Sequence, residues 1–221
     1  MNTDPFVFNS FLGSVRKEFA KSDLNESSIS RDPFLQFDEW LKASFEQGND
    51  YANAMVLSTA DDSGFPDARV MLLRNISYGG FTFYTNYESH KGQQLSHNPK
   101  ASLLFFWPAM ERQVRIRGTV TKLPESESDA YFASRPFESR VGAWVSLQSK
   151  TIASRDEMDA AFLTTKQKYE NCEVPRPPHW GGYVLKPVEF EFWQGRTNRL
   201  HDRIRYVQQD SVEWSTERLM P

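Results

Sequence analysis

Gln113-Val-Arg-Ile-Arg-Gly-Thr-Val-Thr121 alternates apolar and polar side chains along most of its length. This period of two is typical of a β-strand with one buried face, and it directs Val114, Ile116 and Val120 toward a core. The preceding segment, Ala101-Ser-Leu-Leu-Phe-Phe-Trp107, is almost continuously apolar and predicts a strand that is buried on both faces. The centre of the chain is therefore predicted to be β-structure.

Similar segments extend outward from this centre in both directions. Turn residues such as Asp61-Asp-Ser-Gly64 and Gly79-Gly80 separate them. The predicted additional strands are residues 54–59, 68–74, 81–85 and 188–193. Short strands at such intervals, joined by tight turns, indicate an antiparallel barrel or sandwich. We therefore predict a mainly β fold, with helices at its periphery.

Several helices are predicted between these strands. Asp32-Pro33 is a helix start, because Asp caps the first N–H groups and Pro fits the first helical position, and Gly48 ends that helix. Further helices are predicted at 89–96, at 124–134, where Pro136 follows the end, and from the capping box Ser154-Arg-Asp-Glu157 onward.

The N-terminal region differs from the remainder. Residues 1–31 are polar and weakly patterned, so we expect a loosely ordered arm in which Arg16 is the residue of interest. No linker or internal repeat divides residues 32–221, which we expect to form a single domain.

Composition limits the class of protein. The chain has 221 residues, 39% of them hydrophobic, and a net charge of −3, which fits a folded domain and argues against broad nucleic-acid binding. Its single cysteine, Cys172, excludes an internal disulfide and favours a reducing compartment. Without a signal-like N-terminus or a segment long enough to cross a bilayer, we expect a cytoplasmic protein that binds no membrane. His90 and His97 show no convincing metal-ligand spacing, so no metal site is expected.

The most suggestive polar pattern is Trp193-Gln-Gly-Arg-Thr-Asn-Arg-Leu-His-Asp-Arg203. If the chain resumes as a strand after Gly195, then Arg199, His201 and Arg203 share one face. Two guanidiniums beside an imidazole suit an anion, such as a phosphate, or an electron-rich ring. On spacing alone, a solvated basic edge strand that deters aggregation is an equally good interpretation.

Other polar residues lie at predicted strand ends and helix starts. Arg69 and Arg74 are at odd separation on one predicted strand, so they face opposite sides and would serve two anions, or one anion and one structural acid. Ser89-His90-Lys91 begins a helix, where backbone N–H groups favour phosphate. Comparable positions are Tyr84, Thr85, Tyr131, Arg135, Ser139, Gln148 and Ser149. Each has an ordinary explanation as a cap or surface residue, but together they indicate sites for two phosphorylated molecules.

A set of short motifs resembles one known family, that of pyridoxamine 5′-phosphate oxidase, from about Asp32 to Pro221. The Arg199-Leu-His-Asp-Arg203 motif is the most specific. The other matching motifs are Phe83-Tyr-Thr-Asn86, Glu111-Arg-Gln-Val114, Tyr131-Phe-Ala-Ser-Arg-Pro136, Gly142-Ala-Trp-Val-Ser146 with Gln148-Ser149, Trp180-Gly-Gly182, and Glu191-Phe-Trp-Gln-Gly195. The resemblance implies an antiparallel split β-barrel that binds FMN and works as a homodimer, with FMN at the subunit interface.

The resemblance also implies an activity and residue roles. The implied reaction is FMN-dependent oxidation of pyridoxamine and pyridoxine 5′-phosphates to pyridoxal 5′-phosphate, with O₂ as acceptor and H₂O₂ as product. Arg199 and His201 would be the catalytic residues. The implied FMN contacts are Arg69, Arg74, Tyr84, Thr85, His90, Lys91, Gln113, Gln148, Ser149, Trp193 and Arg203. The implied substrate contacts are Arg16, Arg74, Tyr131, Arg135, Ser139, Arg199 and His201.

Some positions depart from the family pattern. Arg74 stands where a lysine is usual, His90 replaces an arginine beside Lys91, and Phe19 replaces a tyrosine in the arm. The His90 change predicts that the flavin phosphate is bound either less tightly or in a pH-dependent way. Two alternatives remain at this point: a non-catalytic module that binds FMN or pyridoxal phosphate, and a related flavin oxidoreductase with another substrate.

Overall fold

The computed structural model describes residues 18–77, 79–209 and 213–221. Within them, nine strands form one antiparallel sheet. The strands are β1 (Ala54–Ala60), β2 (Pro66–Leu72), β3 (Asn75–Ser77), β4 (Gly80–Asn86), β5 (Lys100–Trp107), β6 (Arg112–Lys122), β7 (Trp180–Gln194), β8 (Asp202–Gln208) and β9 (Trp214–Arg218). The helices are α1 (Pro33–Glu46), α2 (His90–His97), α3 (Glu125–Ala133), α4 (Phe137–Val145) and α5 (Arg155–Lys168), with a short 3₁₀ turn at Thr197–Arg199.

The strand order is β2-β1-β5-β6-β7-β4-β3, and β8 joins β7 to β9. β7 is the longest strand, and it has two successive partners on one edge. Its first part, from Trp180 to Leu185, pairs with β4, and its last part, from Glu189 to Gln194, pairs with β8. The predicted antiparallel barrel with peripheral helices is confirmed as a half-barrel built around this strand.

A β-bulge allows β7 to bend between its two partners. The register of the β6–β7 pair shifts between Arg117 and Gly118. A Cβ atom at Gly118 would lie 2.1 Å from the carbonyl oxygen of Lys186, so only glycine fits this close backbone approach. A bulge of this kind bends the strand pair and increases its local twist.

The core lies between α1 and the concave face of the sheet. The predicted inward residues of β6 are confirmed, since Val114, Ile116 and Val120 are all buried. α1 covers them with Phe37 and Trp40. These rings pack mostly edge to face against other core aromatic residues, which is the favoured geometry for aromatic pairs.

The predicted start of α1 is also confirmed. The Asp32 side chain accepts a hydrogen bond of 2.8 Å from the Phe34 N–H, and Pro33 occupies the first turn. An N-cap bond of this type stabilises a protein by about 1 kcal/mol. The Ser154 cap of α5 is confirmed in the same way, because its Oγ accepts the Glu157 N–H at 3.1 Å.

Two expectations about elements are wrong, and one helix is not predicted. β5 is not buried on both faces in the single chain, because Phe106 is 55% exposed while its neighbours Phe105 and Trp107 are buried. The strand predicted at 68–74 ends at Leu72. The sequence pattern also does not predict α4, because Pro136 indicates a helix end there, whereas it is in fact the N-cap residue of the next helix.

The described part of the predicted arm contacts the barrel. Leu24 is buried in the core cluster, and its N–H donates to Asp202 at 3.1 Å. Arg16 lies outside the described residues, and the predicted boundary between residues 31 and 32 stays a prediction. Among the helices that the structure describes, none is long and apolar enough to cross a bilayer.

Candidate functional site

Three adjoining cavities form a groove along β2, β4, α2 and α4. Their volumes are about 570, 380 and 270 Å³. Met71 lines all three, and Gln148 lines the first and second. Tyr84, Arg135 and Trp180 line both the second and third. We refer to these cavities together as the groove.

The first cavity is lined by several of the predicted FMN contacts. Arg69 is oriented toward it by an ion pair with Asp67 and by a hydrogen bond of 2.6 Å to the Thr59 hydroxyl. At the start of α2, the His90 N–H donates to Ser149 Oγ at 3.2 Å. Both His90 and Ser149 line the cavity, so the helix N-terminus and its positive dipole end contribute to its wall.

Lys91 is the buried cation of the first cavity, with 7% of its surface exposed. Its Nζ donates to Gln148 at 2.9 Å, to Thr85 at 3.2 Å and to Ser89 at 3.3 Å, all neutral oxygens. No carboxylate of the described residues lies within ion-pair distance of it. Burial, together with a smaller effect from the charge of Arg69, lowers its pKa to about 8. A buried cation without a counter-ion suits an anionic ligand.

The second and third cavities share a stack of aromatic rings. The Tyr84 ring is stacked on Tyr131 with centroids 3.7 Å apart, and Trp180 stacks on Tyr84 at 5.5 Å. The Arg135 guanidinium lies over Trp180, 4.6 Å from the ring centroid. Parallel rings and a guanidinium plane form a wall that suits a flat ligand.

Arg135 and Arg74 make the third cavity cationic. Arg135 Nη1 is buried and has no hydrogen-bond partner among the described residues. Burial lowers the pKa of Arg135, and the neighbouring charge of Arg74 contributes to the same direction. No acidic residue lines the second or third cavity. Ser139 lines the second and offers a hydroxyl group. A second anion would therefore satisfy the unpaired guanidinium.

Arg69 and Arg74 do lie in different cavities, but not for the predicted reason. Because β2 ends at Leu72, the alternation of a single strand does not extend to Arg74. Arg74 instead follows the strand, and its N–H donates to the Thr82 carbonyl at 2.9 Å. That bond to β4 places Arg74 beside the third cavity, away from Arg69 in the first.

A second group of predicted residues lies on the convex face at the other end of the sheet. Gln113, Trp193 and Arg203 occupy directly opposed positions on β6, β7 and β8, so their side chains share one face. Arg203 Nε donates to Glu191 Oε1 at 3.0 Å, and this buried carboxylate also pairs with Arg115.

His201 belongs to this second group. Its ring centroid is 4.7 Å from that of Trp193, and its Nδ1 accepts the Arg196 N–H at 3.1 Å. Because Nδ1 accepts, the proton of the neutral imidazole is on Nε2. Burial lowers the pKa of His201, and the nearby charge of Arg199 adds to this effect. His201 is therefore arranged as a neutral hydrogen-bond donor.

The prediction that Arg199, His201 and Arg203 alternate along one strand is wrong. β8 begins only at Asp202, and the preceding residues form a 3₁₀ turn. Asn198 and Arg199 have φ angles of 57° and 61°, in the left-handed region that non-glycine residues rarely adopt. Such backbone strain is concentrated at functional sites in proteins. The side chain of Arg199 is exposed.

The single chain does not bring the two groups together. Trp180 lines the groove and Trp193 belongs to the second group, and they mark opposite ends of β7. At about 3.3 Å per residue, the strand between them is roughly 43 Å long along its path. No hydrogen bond, ion pair or ring contact of the described residues joins Arg69, Lys91 or Arg135 to Trp193, His201 or Arg203. The roles predicted for all these residues stay predictions.

Some residues of the site were not predicted from the sequence. Met71 lines every part of the groove, and Asp67 orients Arg69. Asp67 could have been found, because it is two residues before Arg69 and so lies on the same strand face. Trp180 could have been inferred from its motif alone, but nothing local reveals its stacking on Tyr84. Among the described residues, no group of three or more His, Cys, Asp or Glu side chains could hold a metal ion.

Two family profiles match the chain. The one described as pyridoxamine 5′-phosphate oxidase matches residues 41–169. The one described as the pyridoxine 5′-phosphate oxidase C-terminal dimerisation region matches residues 180–221. Together they cover the groove and the second group of residues.

Curated relatives are similar over almost their whole length. The pyridoxine/pyridoxamine 5′-phosphate oxidase of Cytophaga hutchinsonii is 49% identical over 211 residues, covering 95% of this chain and 98% of the relative. The protein of the same name from Paraburkholderia phymatum is 50% identical over 213 residues, covering 96% and 100%.

Solved structures agree on the fold. PhzG from Burkholderia lata 383, in complex with tetrahydrophenazine-1-carboxylic acid, has a TM-score of 0.85 and 30% identity, covering 91% of this chain and 99% of PhzG. A pyridoxamine 5′-phosphate oxidase-related, FMN binding protein from Nostoc punctiforme has a TM-score of 0.70, covering 87% and 100%. At 19% identity, the latter shows the fold alone.

Proposed function

Because this chain belongs to the pyridoxamine 5′-phosphate oxidase family, we propose that it oxidises pyridoxine and pyridoxamine 5′-phosphates to pyridoxal 5′-phosphate with FMN as cofactor. O₂ is the electron acceptor and H₂O₂ the product; the amine substrate also consumes water and releases ammonia. The observation that carries the proposal is the presence of two cationic positions without counter-ions in one aromatic groove, at Lys91 and at Arg135. Two phosphorylated aromatic molecules match this arrangement.

The first cavity fits the FMN phosphate. Lys91 and Arg69 supply positive charge, the Ser149 hydroxyl supplies a neutral polar group, and the positive dipole end of α2 contributes to the wall. His90 stands in place of the usual arginine, and its Nδ1 lies 3.6 Å from the Asp67 carboxylate. A protonated His90 would therefore interact with Asp67 as well as with the ligand phosphate. FMN in this position would provide the counter-ion that buried Lys91 lacks.

The third cavity fits the substrate phosphate. Arg135 and Arg74 face it without any acidic lining residue, and Tyr131 contributes a phenol. Ser139 lines the adjoining second cavity. Arg74 replaces the lysine usual in the family and retains the charge, while its planar guanidinium allows bidentate contact with a phosphate.

We further propose that a second copy of the chain completes the site. Three residues are proposed to contact the flavin and pyridine rings: Trp193, His201 and Arg203. They lie near the end of β7 that is far from the groove. The C-terminal dimerisation region of the family includes all of them. The face of the sheet beside them also carries the exposed ring of Phe106, which lies opposite Gln113 of β6. Such a face suits association with a partner protomer.

FMN, when bound, would supply the redox chemistry, which is hydride acceptance from the C4′ carbon of the substrate and electron transfer to O₂. The chain supplies binding and orientation. Arg199 and His201 would hold the pyridine ring in its reactive position, an effect on orientation rather than on proton transfer. Arg203, held by Glu191, would bring positive charge to the flavin. His201 donates through Nε2–H and is not assigned as a general base.

The proposal is tested first by reconstitution with FMN, followed by oxygen-electrode assays with each substrate. We expect a yellow protein that consumes O₂ with both phosphorylated vitamers and not with pyridoxine lacking the phosphate. The matched variant Arg135→Ala should retain flavin but lose activity. Failure to retain flavin after reconstitution would contradict the proposal.

Two alternatives have distinct outcomes in the same experiment. A non-catalytic flavin module would be yellow but would consume no O₂ with either vitamer. A phenazine-type oxidoreductase, suggested by the 30% identity to PhzG, would respond to a reduced tricyclic carboxylic acid instead. We favour the vitamer phosphates because of the 49% identity to named oxidases and the cationic third cavity.

A further inference from the structure

Glu111 is a buried acid for which the proposed chemistry has no use. It is 2% exposed, and it precedes β6 with a φ angle of 56°. Its Oε2 accepts the N–H groups of Ala20 at 2.9 Å and Lys21 at 3.1 Å. The carboxylate therefore binds the backbone of residues 18–26, which we call the N-terminal strap.

The backbone of Glu111 is bonded to the end of β7. Its carbonyl oxygen accepts the Gly195 N–H at 2.8 Å and the Gln194 side-chain amide at 3.3 Å. The strap lies directly against this turn, because a Cβ atom at Gly195 would be only 2.7 Å from the Phe19 Cβ. The side chain of Glu111 thus binds the strap, and its backbone binds the segment that leads to His201.

Phe19, which belongs to the strap, contacts the second group of site residues. Its ring meets those of Trp193 and His201 edge to face, with centroids 5.7 Å apart in both pairs. His201 also accepts the Arg196 N–H through Nδ1. The imidazole therefore contacts both Phe19 and the Arg196 amide, and Glu111 is bonded to residues next to each of them.

The strap is also held at its other end. The Asp202 carboxylate accepts the Leu24 N–H at 3.1 Å, and Arg218 donates to the Leu24 carbonyl at 2.9 Å. Because these bonds do not involve Glu111, loss of its carboxylate would free the part of the strap that carries Phe19 and leave the distal part attached.

We propose that the Glu111 carboxylate is a positioning residue that clamps the N-terminal strap so that Phe19 fixes the rings of His201 and Trp193. Hydrogen bonds to a charged acceptor are stronger than those between neutral groups, so two of them suit this clamp. The consequence for catalysis rests on the proposed function, whereas the effect on the strap and on the His201 ring does not.

The first experiment is amide hydrogen exchange on FMN-loaded Glu111→Ala. Alanine has the same left-handed backbone cost as glutamate, so the change removes the carboxylate without altering that strain. We expect exchange at Ala20 and Lys21 to accelerate at least about tenfold, the effect of losing one charge-assisted bond. The control Lys21→Ala removes the bond from Lys21 Nζ to the Ala109 carbonyl but leaves both backbone bonds to the carboxylate. Exchange at the amides of residues 20 and 21 should therefore stay unchanged.

Glu111→Gln tests whether acceptance of hydrogen bonds is the relevant property. Glutamine retains an acceptor oxygen, so it should preserve most of the protection of the strap. Nitrogen-15 spectra of His201 follow the ring in the same samples: we expect the Nε2–H tautomer in wild type and an averaged signal in Glu111→Ala. Unchanged exchange and an unchanged imidazole signal in Glu111→Ala would overturn the proposal, whether or not the protein oxidises vitamers.

A double-mutant cycle tests the route through Phe19. If Glu111 acts through this ring, then Phe19→Ala alone should reduce kcat by a factor similar to Glu111→Ala, about tenfold, and the double variant should be no worse than either single one. Flavin content and thermal midpoint identify any variant that is only poorly folded. Independent, multiplying effects of the two substitutions would show that Glu111 acts by another route and would refute the proposal.

Discussion

Lys91 illustrates how the environment of one residue prepares a site. Its ammonium group is buried among three neutral oxygens, and this burial lowers its pKa to about 8. A phosphate would favour the charged form, so binding of the anion and protonation of Lys91 are coupled. At the residue scale, the first cavity is therefore expected to be a pH-dependent anion site.

We predict that FMN binds the apoprotein more weakly as the pH rises from 7 to 9. The ligand-free Lys91 becomes neutral above its pKa of about 8. Since the phosphate requires the cation, the affinity should fall about tenfold over this range. Flavin fluorescence quenching measures the effect; riboflavin, which lacks the phosphate, and the variant Lys91→Met should both show little pH dependence. Equal FMN affinity at the two pH values would contradict the prediction.

Arg199 is the second residue whose environment supports a direct test. Its side chain is exposed and its backbone is in the left-handed region, so its contribution to folding is small. We predict that Arg199→Ala lowers kcat/KM at least about tenfold, or roughly 1.4 kcal/mol, with unchanged flavin content. Arg117→Ala, which removes another exposed guanidinium on the sheet, serves as the control. Wild-type efficiency in Arg199→Ala would exclude Arg199 from the site.

At the scale of elements, β7 organises the fold. It pairs with β6 throughout and with β4 and β8 in succession, so its bend determines where the groove and the second group of residues lie. The bulge at Gly118 accommodates this bend, because the backbones of β6 and β7 approach closely there. The relative position of the groove and the second group therefore depends on Gly118, which is not itself a predicted site residue.

Two glycine substitutions should have opposite effects on stability. Gly118→Ala would place a methyl group against the Lys186 carbonyl, so it should destabilise the fold by about 1–3 kcal/mol. Gly142→Ala lies inside α4 with nothing within 4 Å of the added methyl, so helix propensity should stabilise the fold by up to about 1 kcal/mol. Urea unfolding of both variants in parallel measures the difference. Equal stabilities would show that the bulge tolerates a side chain.

At the scale of the whole molecule, the separation of the two residue groups is the central feature. One chain carries the groove and the second group of residues near opposite ends of β7. In the proposed symmetric dimer, the groove of one protomer would face the second group of its partner, and the arrangement would occur twice. This arrangement would account for the exposure of Arg199 in the single chain.

Subunit complementation tests this arrangement. Arg135→Ala and Arg199→Ala should each lower the activity of the homodimer to about a tenth of wild type or less. Heterodimers of the two variants would contain one site with both substitutions and one with neither. Random reassembly of an equal mixture should therefore restore about a quarter of wild-type activity, since half of the dimers contain one intact site. No recovery beyond that of the separate variants would show that each site is built within one chain.

Much of the local structure could be predicted from the sequence, because its causes are local. Alternation in β6 predicted the inward positions of Val114 and Ile116, and Asp32-Pro33 predicted the start of α1, because a period of two and an N-cap depend only on neighbouring residues. The family motifs likewise indicated a set of candidate site residues, whose roles stay predictions. The helix end before Pro136 was predicted correctly, but the helix that starts at the same proline was not predicted.

The sequence by itself determined the β-rich fold class, the helix caps and the set of polar residues that suit two phosphates. Only the tertiary structure decided how these residues are distributed: the turn that removes Arg199 from the predicted strand face, the stacking of Trp180 on Tyr84, and the separation of the groove from the second group of residues along β7. The physical reason is that spacing along a chain reports the direction of neighbouring side chains, whereas a bulge, a left-handed turn and long-range strand pairing determine which distant residues meet.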